Sequence, residues 1–254
     1  MSPRRRLLLL GAAGVLVVVL LVVLGLRLLG DRDSGVRPDQ ATPGTVLLVP
    51  GYGGSRTALT RLAARLEAEG RTTEVLTLPG DGTGDLRAQS DVLDSAVQDV
   101  LNNGAPSVDV IGYSAGGVVT RLWVDRHDGA EVARRIVTLG SPLHGARIAG
   151  VGAALAPGAC PEACRELAPG SELLRSIDDP VPDGLPWLSI WTENDETVQP
   201  PDSARLDGAI NLSLQSICPS AQVSHSQLPT DPAVTALVLT ALGTDPLTAP
   251  AACP

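Results

Sequence analysis

The sequence contains no phenylalanine and no lysine, and its 254 residues include only three tryptophans and two tyrosines. Aromatic rings therefore cannot supply much of a hydrophobic core, although 44% of the residues are hydrophobic, which excludes a predominantly disordered chain. The core must be built from Val, Leu, Ile and Ala, side chains that are typical of buried parallel strands. A chain of this length is expected to form one sizeable domain.

Positive charge is also scarce over most of the chain. All 19 basic residues are arginines, and four of them lie in residues 1–30, which contain no acidic residue. Residues 31–254 therefore carry 15 basic residues against 28 acidic ones, a balance of −13. Because such a surface repels a polyanion, we exclude nucleic acid as a partner.

The amino terminus has the pattern of a membrane segment. Three arginines at 4–6 precede an uncharged apolar run over residues 7–26, which at about 1.5 Å per residue can cross roughly 30 Å of hydrocarbon. We predict a cytoplasmic end at 1–6, a transmembrane signal anchor at 7–29 and a linker at 30–43. The positive-inside rule then places the remaining chain outside the cytoplasm, anchored to the cell membrane by a single pass. Secretion after signal cleavage is the alternative, but residues 25–33 contain no A-x-A cleavage pattern.

Four cysteines, an even number, follow on the predicted oxidising side of the membrane: Cys160, Cys164, Cys218 and Cys253. Disulfides are the expected state, and three pairings are possible. We favour Cys160 with Cys164 and Cys218 with Cys253. A zinc site is the alternative, but C-x₃-C without a nearby histidine is a weak zinc pattern. We therefore predict no metal and no cofactor.

From residue 44 onward, short apolar runs alternate with segments of helical periodicity. The predicted strands are 45–49, 73–78, 108–111, 136–139, 187–191 and 210–214. The predicted helices are 57–70, with Thr57 as its cap and Gly70 at its end, 86–101, 114–124 and 233–242. This order predicts an α/β domain over 44–245, with a mostly parallel central sheet and helices on both faces. Residues 151–182 break the alternation and are predicted to be a small cap or lid, and 246–254 form a Pro-rich tail. We find no internal repeats.

The segment Gly112-Tyr113-Ser114-Ala115-Gly116 lies between a predicted buried strand and a predicted helix. This setting is the one that a nucleophile elbow requires, because a sharp turn presents the serine outward. Gly112 and Gly116 would let strand and helix approach without Cβ clashes. The alternative is a Gly-rich turn in which an ordinary serine caps the helix.

Together with three further segments, this motif resembles the α/β-hydrolase superfamily, and within it the bacterial secreted or membrane-anchored lipases and esterases. The segments are Pro50-Gly51-Tyr52-Gly53-Gly54, the run Ile-Val-Thr-Leu-Gly-Ser-Pro-Leu-His-Gly at 136–145, and Asp-Glu-Thr-Val-Gln-Pro at 195–200. The resemblance implies the α/β-hydrolase fold and cleavage of carboxylic esters. Pro50 departs from the family pattern, since lipases often have a histidine there that can order the loop. Tyr113 also stands where histidine is common.

The resemblance also implies a catalytic set in the chain order serine, acid, histidine. Only His225 follows both Ser114 and an acid of the predicted strand end at 187–191, so we assign it as the base. Asp195 begins the family's Asp-x-x-Val-x-Pro pattern and is assigned as the acid, in preference to Glu193 and Glu196. By resemblance, the backbone amides of Tyr52 and Ala115 form the oxyanion hole.

The other two histidines receive different interpretations. His144 precedes every acid at that strand end and is read as a residue behind the catalytic ones. His127 lies between Arg126 and Asp128 and is read as a solvated surface residue.

The predicted function is a serine hydrolase, a lipase or esterase, that forms an acyl-enzyme on Ser114. Its substrate would be a small-molecule or lipid ester, and we expect a monomer. One alternative is an acyltransferase or thioesterase acting on envelope lipids with the same three residues. Another is an anchored binding protein that keeps the fold without activity, since a fold alone does not imply a function.

Overall fold

The computed structural model describes residues 37–254. In this range the strands are β1 Thr45–Val49, β2 Thr73–Val75, β3 Val108–Tyr113, β4 Ala133–Leu139, β5 Trp187–Trp191 and β6 Ile210–Ser213. The helices are α1 Thr57–Ala68, α2 Leu86–Asn102, α3 Ala115–Arg126, α4 Arg147–Leu155, α5 Glu162–Glu166, α6 Glu172–Arg175, α7 Leu214–Ile217 and α8 Pro232–Ala241.

The six strands form one sheet in the order β2-β1-β3-β4-β5-β6, and every neighbouring pair is parallel. Parallel neighbours need crossover connections, which the helices between the strands supply. Since the strands run in one direction, all their carboxyl ends lie at the same edge of the sheet. The predicted α/β class with a parallel sheet is confirmed.

The core lies on both faces of the sheet. On one face α2 and α3 pack through aliphatic residues such as Leu93 and Val118, together with Trp123. On the other face α1 and α8 pack through Leu62 and Val238. The central strands are buried on both sides, so apolar runs replace the alternation of a half-exposed strand, as the composition predicted.

Some predicted boundaries are wrong. Strand β2 is shorter than 73–78, because Pro79 follows closely and only Leu76 adds one more bond, to the Leu48 carbonyl. Thr57 is the first residue of α1 rather than its cap, a position that Arg56 takes without a side-chain bond. The first helix of the insertion begins at Arg147, before the predicted boundary at 151.

Strand β4 begins at Ala133, three residues before the predicted start at 136, and so includes Arg134 and Arg135. Both arginines are almost completely buried. Their guanidinium groups donate to carbonyls at the end of α8: Arg134 to that of Leu242, the residue that caps the helix, and Arg135 to that of Ala241. The negative end of the helix dipole thus compensates two charges that would otherwise exclude these residues from a buried strand.

A buried ion cluster lies at this amino-terminal edge of the sheet. Asp109, on β3, is fully buried and its Oδ2 accepts from Arg71 and, at 2.6 Å, from Arg134. Arg134 also donates to the carbonyl of Gln40, so the cluster ties the segment before β1 to the sheet. Three charges are therefore held together by direct contacts.

Both favoured disulfides are present. Cys160 is bonded to Cys164, with 5.4 Å between their Cα atoms, and Cys218 to Cys253, with 4.9 Å. The first bridge closes a tight loop at α5, and the second fixes the carboxyl-terminal tail. The predicted pairing is confirmed.

The membrane anchor predicted at 7–29 lies outside the described residues, as does the first half of the predicted linker at 30–43. Within residues 37–254, no helix has the length and apolarity needed to span a bilayer. The anchor and the extracytoplasmic location remain predictions.

Candidate active site

Ser114 occupies the turn between β3 and α3. Its φ of 53° and ψ of −127° make it one of two non-glycine residues with positive φ among residues 37–254. Such a conformation costs of order 1–3 kcal/mol and persists only where the surroundings impose it. Here the Ser114 amide donates to the Leu139 carbonyl of β4 at 2.9 Å. The strained turn places the hydroxyl at the carboxyl edge of the sheet.

Close backbone packing around this turn explains its glycines. A Cβ on Gly112 would lie 2.6 Å from the Cα of Gly117, and a Cβ on Gly116 would lie 2.2 Å from the Val49 carbonyl oxygen. Neither position has room for a side chain, because the neighbouring atoms are backbone. The two elbow glycines thus allow α3 to pack against both β3 and the end of β1.

A chain of hydrogen bonds joins the three predicted catalytic side chains. The Ser114 Oγ lies 3.0 Å from Nε2 of His225, and Nδ1 of the same ring lies 2.6 Å from Oδ2 of Asp195. Asp195 follows β5, and His225 opens a 3₁₀ turn at 225–227. Both are almost completely buried, whereas Ser114 is half-buried. The fold therefore brings together residues that are 111 positions apart in sequence.

Asp195 is fixed through its other oxygen. Its Oδ1 accepts from the backbone amides of Thr197 at 2.9 Å and Val198 at 2.7 Å. These bonds set the orientation of the carboxylate towards His225. Gly140 closes the opposite side, where a Cβ would lie 3.1 Å from Nδ1 of His225 and 3.3 Å from Oδ2 of Asp195. Any side chain at 140 would therefore press on both the imidazole and the carboxylate.

Tyr113 packs beside the imidazole. The two rings have centroids 5.2 Å apart, and the Tyr113 hydroxyl donates to the His225 carbonyl at 3.3 Å. Burial, together with the charges of Asp195 and Glu196, raises the pKa of Tyr113 to about 12. The phenol therefore stays neutral and remains a donor. Glu196 in turn accepts from the His225 amide at 3.3 Å, so the base is held by its backbone as well as its ring.

The two predicted oxyanion residues lie on either side of Ser114. Ala115 is the first residue of α3, and an amide in the first turn of a helix has no partner within that helix. Tyr52 lies in the loop after β1, and within residues 37–254 its amide makes no hydrogen bond. At Gly51 a Cβ would be 2.8 Å from the Cβ of Ser114, so this loop passes directly over the serine.

A cavity of about 370 Å³ opens beside the serine. Its walls are mostly apolar, and they come from the loop after β1, from α4 and α5 of the insertion, and from the loop after β5. The lining side chains include Tyr52, Ser114, Ile148, Cys164, Leu167 and Val198. A larger cavity of about 640 Å³, between residues 79–89 and 158–165, does not include any of the three hydrogen-bonded residues.

The other two histidines do not take part in the hydrogen bonds that join Ser114, His225 and Asp195. His144, read from the sequence as lying behind the catalytic residues, is instead about half exposed, with Nδ1 3.7 Å from Asp178. It occupies a surface loop, and its amide bonds to the Ser203 carbonyl. His127 lies 2.9 Å from Asp91, also at the surface. Of the alternative acids, Glu193 accepts from the indole of Trp191 and Glu196 from the His225 amide.

Sequence reasoning missed the residues that fix the acid and the base. Gly140 belongs to the Leu-Gly-Ser-Pro segment already singled out, but its role depends on a contact with two distant loops. Tyr113 was noted only as a departure from the family pattern. Its bond to the His225 carbonyl gave no local signal, because the two residues are 112 positions apart.

Residues 46–253 match the family described as "Alpha/beta hydrolase family". No protein of curated function is significantly similar in sequence.

Several solved structures share the fold. Lipase B of Aspergillus fumigatus superposes with a TM-score of 0.69 at 22% identity, over 79% of this chain and 52% of the lipase. The mature lipase BlEst2 of Bacillus licheniformis gives 0.66 at 18% identity, over 82% and 95%. An N-formylmaleamic acid deformylase of Pseudomonas putida gives 0.53 at 16%, over 80% and 94%. This chain thus spans about half the length of the fungal lipase.

Proposed function

Because the chain belongs to the alpha/beta hydrolase family, we propose that it is a serine hydrolase that cleaves carboxylic esters through an acyl-enzyme on Ser114. The observation that carries the proposal is the chain of hydrogen bonds from Ser114 through His225 to Asp195, opening onto an apolar cavity. A nucleophile, a base within reach of its proton and a carboxylate that orients the base are what acyl transfer requires.

The proposed first step is attack of the Ser114 Oγ on the carbonyl carbon of the ester. Nε2 of His225 takes the hydroxyl proton, and Asp195 stabilises the imidazolium and keeps its Nδ1–H directed at the carboxylate. The carbonyl oxygen becomes an oxyanion, for which the amides of Tyr52 and Ala115 are the proposed donors. Collapse breaks the ester C–O bond, and the alcohol leaves with the proton from His225.

The second step returns the enzyme to its starting state. A water molecule gives one proton to His225 while its oxygen attacks the acyl carbon. Collapse of this second tetrahedral intermediate releases the carboxylic acid and returns the proton to Ser114. The net reaction consumes one ester and one water and yields one acid and one alcohol.

The surroundings of the cavity support an apolar, lipid-like ester as substrate. Within residues 37–254 the large apolar side chains that are exposed are Tyr52, Ile148, Val151 and Leu155. Tyr52 and Ile148 line the cavity, and the other two continue along α4 from Ile148 at spacings of three and four. An apolar patch around a cavity mouth is typical of a site that receives apolar ligands.

The experiment is labelling and turnover with the protein from Asp31 onward. We expect a fluorophosphonate to modify Ser114, and Ser114→Ala to abolish both labelling and cleavage of p-nitrophenyl esters. A series of esters with increasing acyl chain length would show which length the cavity accepts. Matched anilides and thioesters would test the class of substrate, and added alcohols would test acyl transfer. Unlabelled Ser114 combined with unchanged ester cleavage by Ser114→Ala would contradict the proposal. Anilide cleavage or acyl transfer exceeding ester hydrolysis would redirect it to an amidase or an acyltransferase.

A further inference from the structure

Two glycine-containing loops meet beside the catalytic serine. The first, residues 50–54, carries the proposed oxyanion donor at Tyr52 and is called the oxyanion loop here. The second, residues 79–84, connects β2 to α2 and is called the bridging loop. The Gly53 amide donates to the Gly82 carbonyl at 3.3 Å, so the residue after the proposed donor is bonded directly to the bridging loop.

The two loops touch backbone to backbone at one point. Gly82 has a φ of +71°, and a Cβ there would lie 2.5 Å from the Gly54 nitrogen and 2.8 Å from its Cα. Since these are backbone atoms of the oxyanion loop, no side-chain rotation could relieve the clash. Any larger residue at 82 must displace one loop or the other.

The bridging loop is itself held from two sides. The buried side chain of Gln89, on α2, donates from Nε2 to the Gly84 carbonyl at 3.0 Å and to that of Gly82 at 3.5 Å. On the outer side, the Ala163 amide of α5 donates to the Thr83 carbonyl at 3.0 Å. The loop is thus clamped between the body of the domain and the insertion.

Pro50 makes such support necessary. Proline has no N–H, and the oxyanion loop has only one internal backbone bond, from the Gly54 amide to the Gly51 carbonyl at 3.0 Å. An oxyanion donor is effective only when it is held in place before the reaction. The order of the loop must therefore come from outside it.

We propose that the bridging loop, through Gly82 and with Gln89 as its anchor, is the positioning element that holds the Tyr52 amide ready for the oxyanion. The inference rests on the proposed function for its kinetic consequence. Its structural part, that Gly82 orders residues 50–54, stands independently of any activity.

The test is a matched pair of variants in the same loop. Gly82→Ala and Gly80→Ala both place a Cβ at positive φ, +71° and +60°, but the Cβ at 80 meets no atom within 4 Å. The backbone strain is therefore similar, and only Gly82→Ala pushes on the oxyanion loop. We expect kcat for an ester to fall about 10- to 100-fold in Gly82→Ala relative to Gly80→Ala, with KM within about twofold.

Two further readouts separate positioning from a general loss of structure. The affinity of a trifluoromethyl ketone, whose adduct with serine carries an oxyanion, should fall in parallel with kcat when both are measured well below the thermal midpoint of either variant. Hydrogen–deuterium exchange of a peptide covering 50–54 should be faster in Gly82→Ala only. Equal kcat and equal exchange in the two variants would overturn the inference.

A second variant keeps the test decisive if Gly82→Ala does not fold. Gln89→Met retains the length of the side chain and removes its donor, so it should loosen the bridging loop without adding a clash. We expect faster exchange at 50–54 and a loss of kcat of about threefold to tenfold. If Gln89→Met showed the same exchange rate at 50–54 and the same kcat as the wild type, the proposal would be contradicted. A wild-type enzyme without ester turnover would instead contradict the proposed function, and exchange would still test the loop.

Discussion

Two buried carboxylates lie at opposite edges of the same parallel sheet and have different partners. Asp109, near the start of β3, contacts the guanidinium groups of Arg71 and Arg134. Asp195, after the end of β5, contacts two backbone amides and the imidazole of His225. A guanidinium stays protonated and cannot accept a proton, whereas an imidazole can gain and lose one near neutral pH.

The surroundings differ in the same way. At Asp109 the donors lead only to backbone carbonyls, such as those of Leu242 and Gly243. At Asp195 the hydrogen bonds lead through His225 to a hydroxyl on the wall of a cavity. We infer that burial of charge contributes stability at the first edge and prepares chemistry at the second.

The largest expected effect is on turnover at the Asp195 edge. His225→Ala should lower kcat by about 10⁴-fold or more, because the base and the nucleophile act as a unit. For the same reason the double variant Ser114→Ala/His225→Ala should be no slower than either single variant. Steady-state kinetics of all three would check this, and multiplicative losses would show that the two residues act separately.

The next largest loss of kcat is expected for Asp195→Asn. The amide can still bond to the imidazole but favours the wrong tautomer and does not stabilise the imidazolium, a change that costs about 10⁴-fold in kcat in serine hydrolases that use this arrangement. The thermal midpoint should change little in comparison. A variant that kept more than about a tenth of the activity would show that Asp195 is not the orienting acid.

Asp109→Asn should show the opposite pattern. Removing the charge leaves Arg71 and Arg134 without their carboxylate partner, and breaking a buried ion pair typically costs about 3–5 kcal/mol of unfolding free energy and lowers the midpoint by roughly 6–20 °C. Below that midpoint kcat should stay within about twofold of wild type. Thermal unfolding measured beside kinetics checks both, and a large loss of kcat without destabilisation would break the comparison.

The sequence contained enough to predict the Asp195 edge but not the Asp109 edge. Ser114, Asp195 and His225 each lie in a segment with a recognisable local pattern, and the parallel strands bring those segments to one edge. Two adjacent arginines, Arg134 and Arg135, are not expected in a buried strand, and the predicted strand begins only at 136. Only the folded chain supplies the carboxylate and the helix end that compensate them.

The sequence indicated where the insertion lies but not which helices it contains. Helices α5 and α6 have only five and four residues, too few for a periodic pattern to show. Their positions depend on contacts such as that of Glu166 with the Leu86 amide, which joins residues 80 positions apart. The same limit applies to Gly82 and Gly140, whose importance lies in what a side chain there would meet.

The smallest expected effect concerns Glu166, a third carboxylate, at the base of the insertion. Burial raises its pKa to about 7 from a usual value of 4.5, and the nearby Asp85 and Glu162 add to this, against the opposing effects of the Leu86 amide and Arg87. The folded protein therefore holds a proton that the unfolded chain releases above about pH 4.5. The stability that Glu166 contributes is present below that pH and is lost as the pH rises through 7.

Glu166→Gln tests this directly, because glutamine cannot titrate. As the pH rises from 5 to 8, the wild-type protein loses this contribution and the variant does not. The thermal midpoint of the variant minus that of the wild type should therefore increase, by a few degrees at most. Thermal unfolding over this pH range measures it, and parallel curves for the two proteins would contradict the assignment. Gln89→Met serves as the control. It changes packing at the bridging loop without removing a titratable group, so its midpoint should follow the wild-type dependence on pH.

The most direct test of the proposed chemistry is the mass of the protein during turnover. Rapid acid quenching of the reaction with a p-nitrophenyl ester, followed by peptide mass spectrometry, should show the acyl group on the peptide that contains Ser114. The adduct should accumulate as a burst of one equivalent if deacylation is the slower step, and it should be absent in Ser114→Ala. An adduct on another residue, or ester turnover that Ser114→Ala retains, would contradict the assignment of Ser114 as the nucleophile.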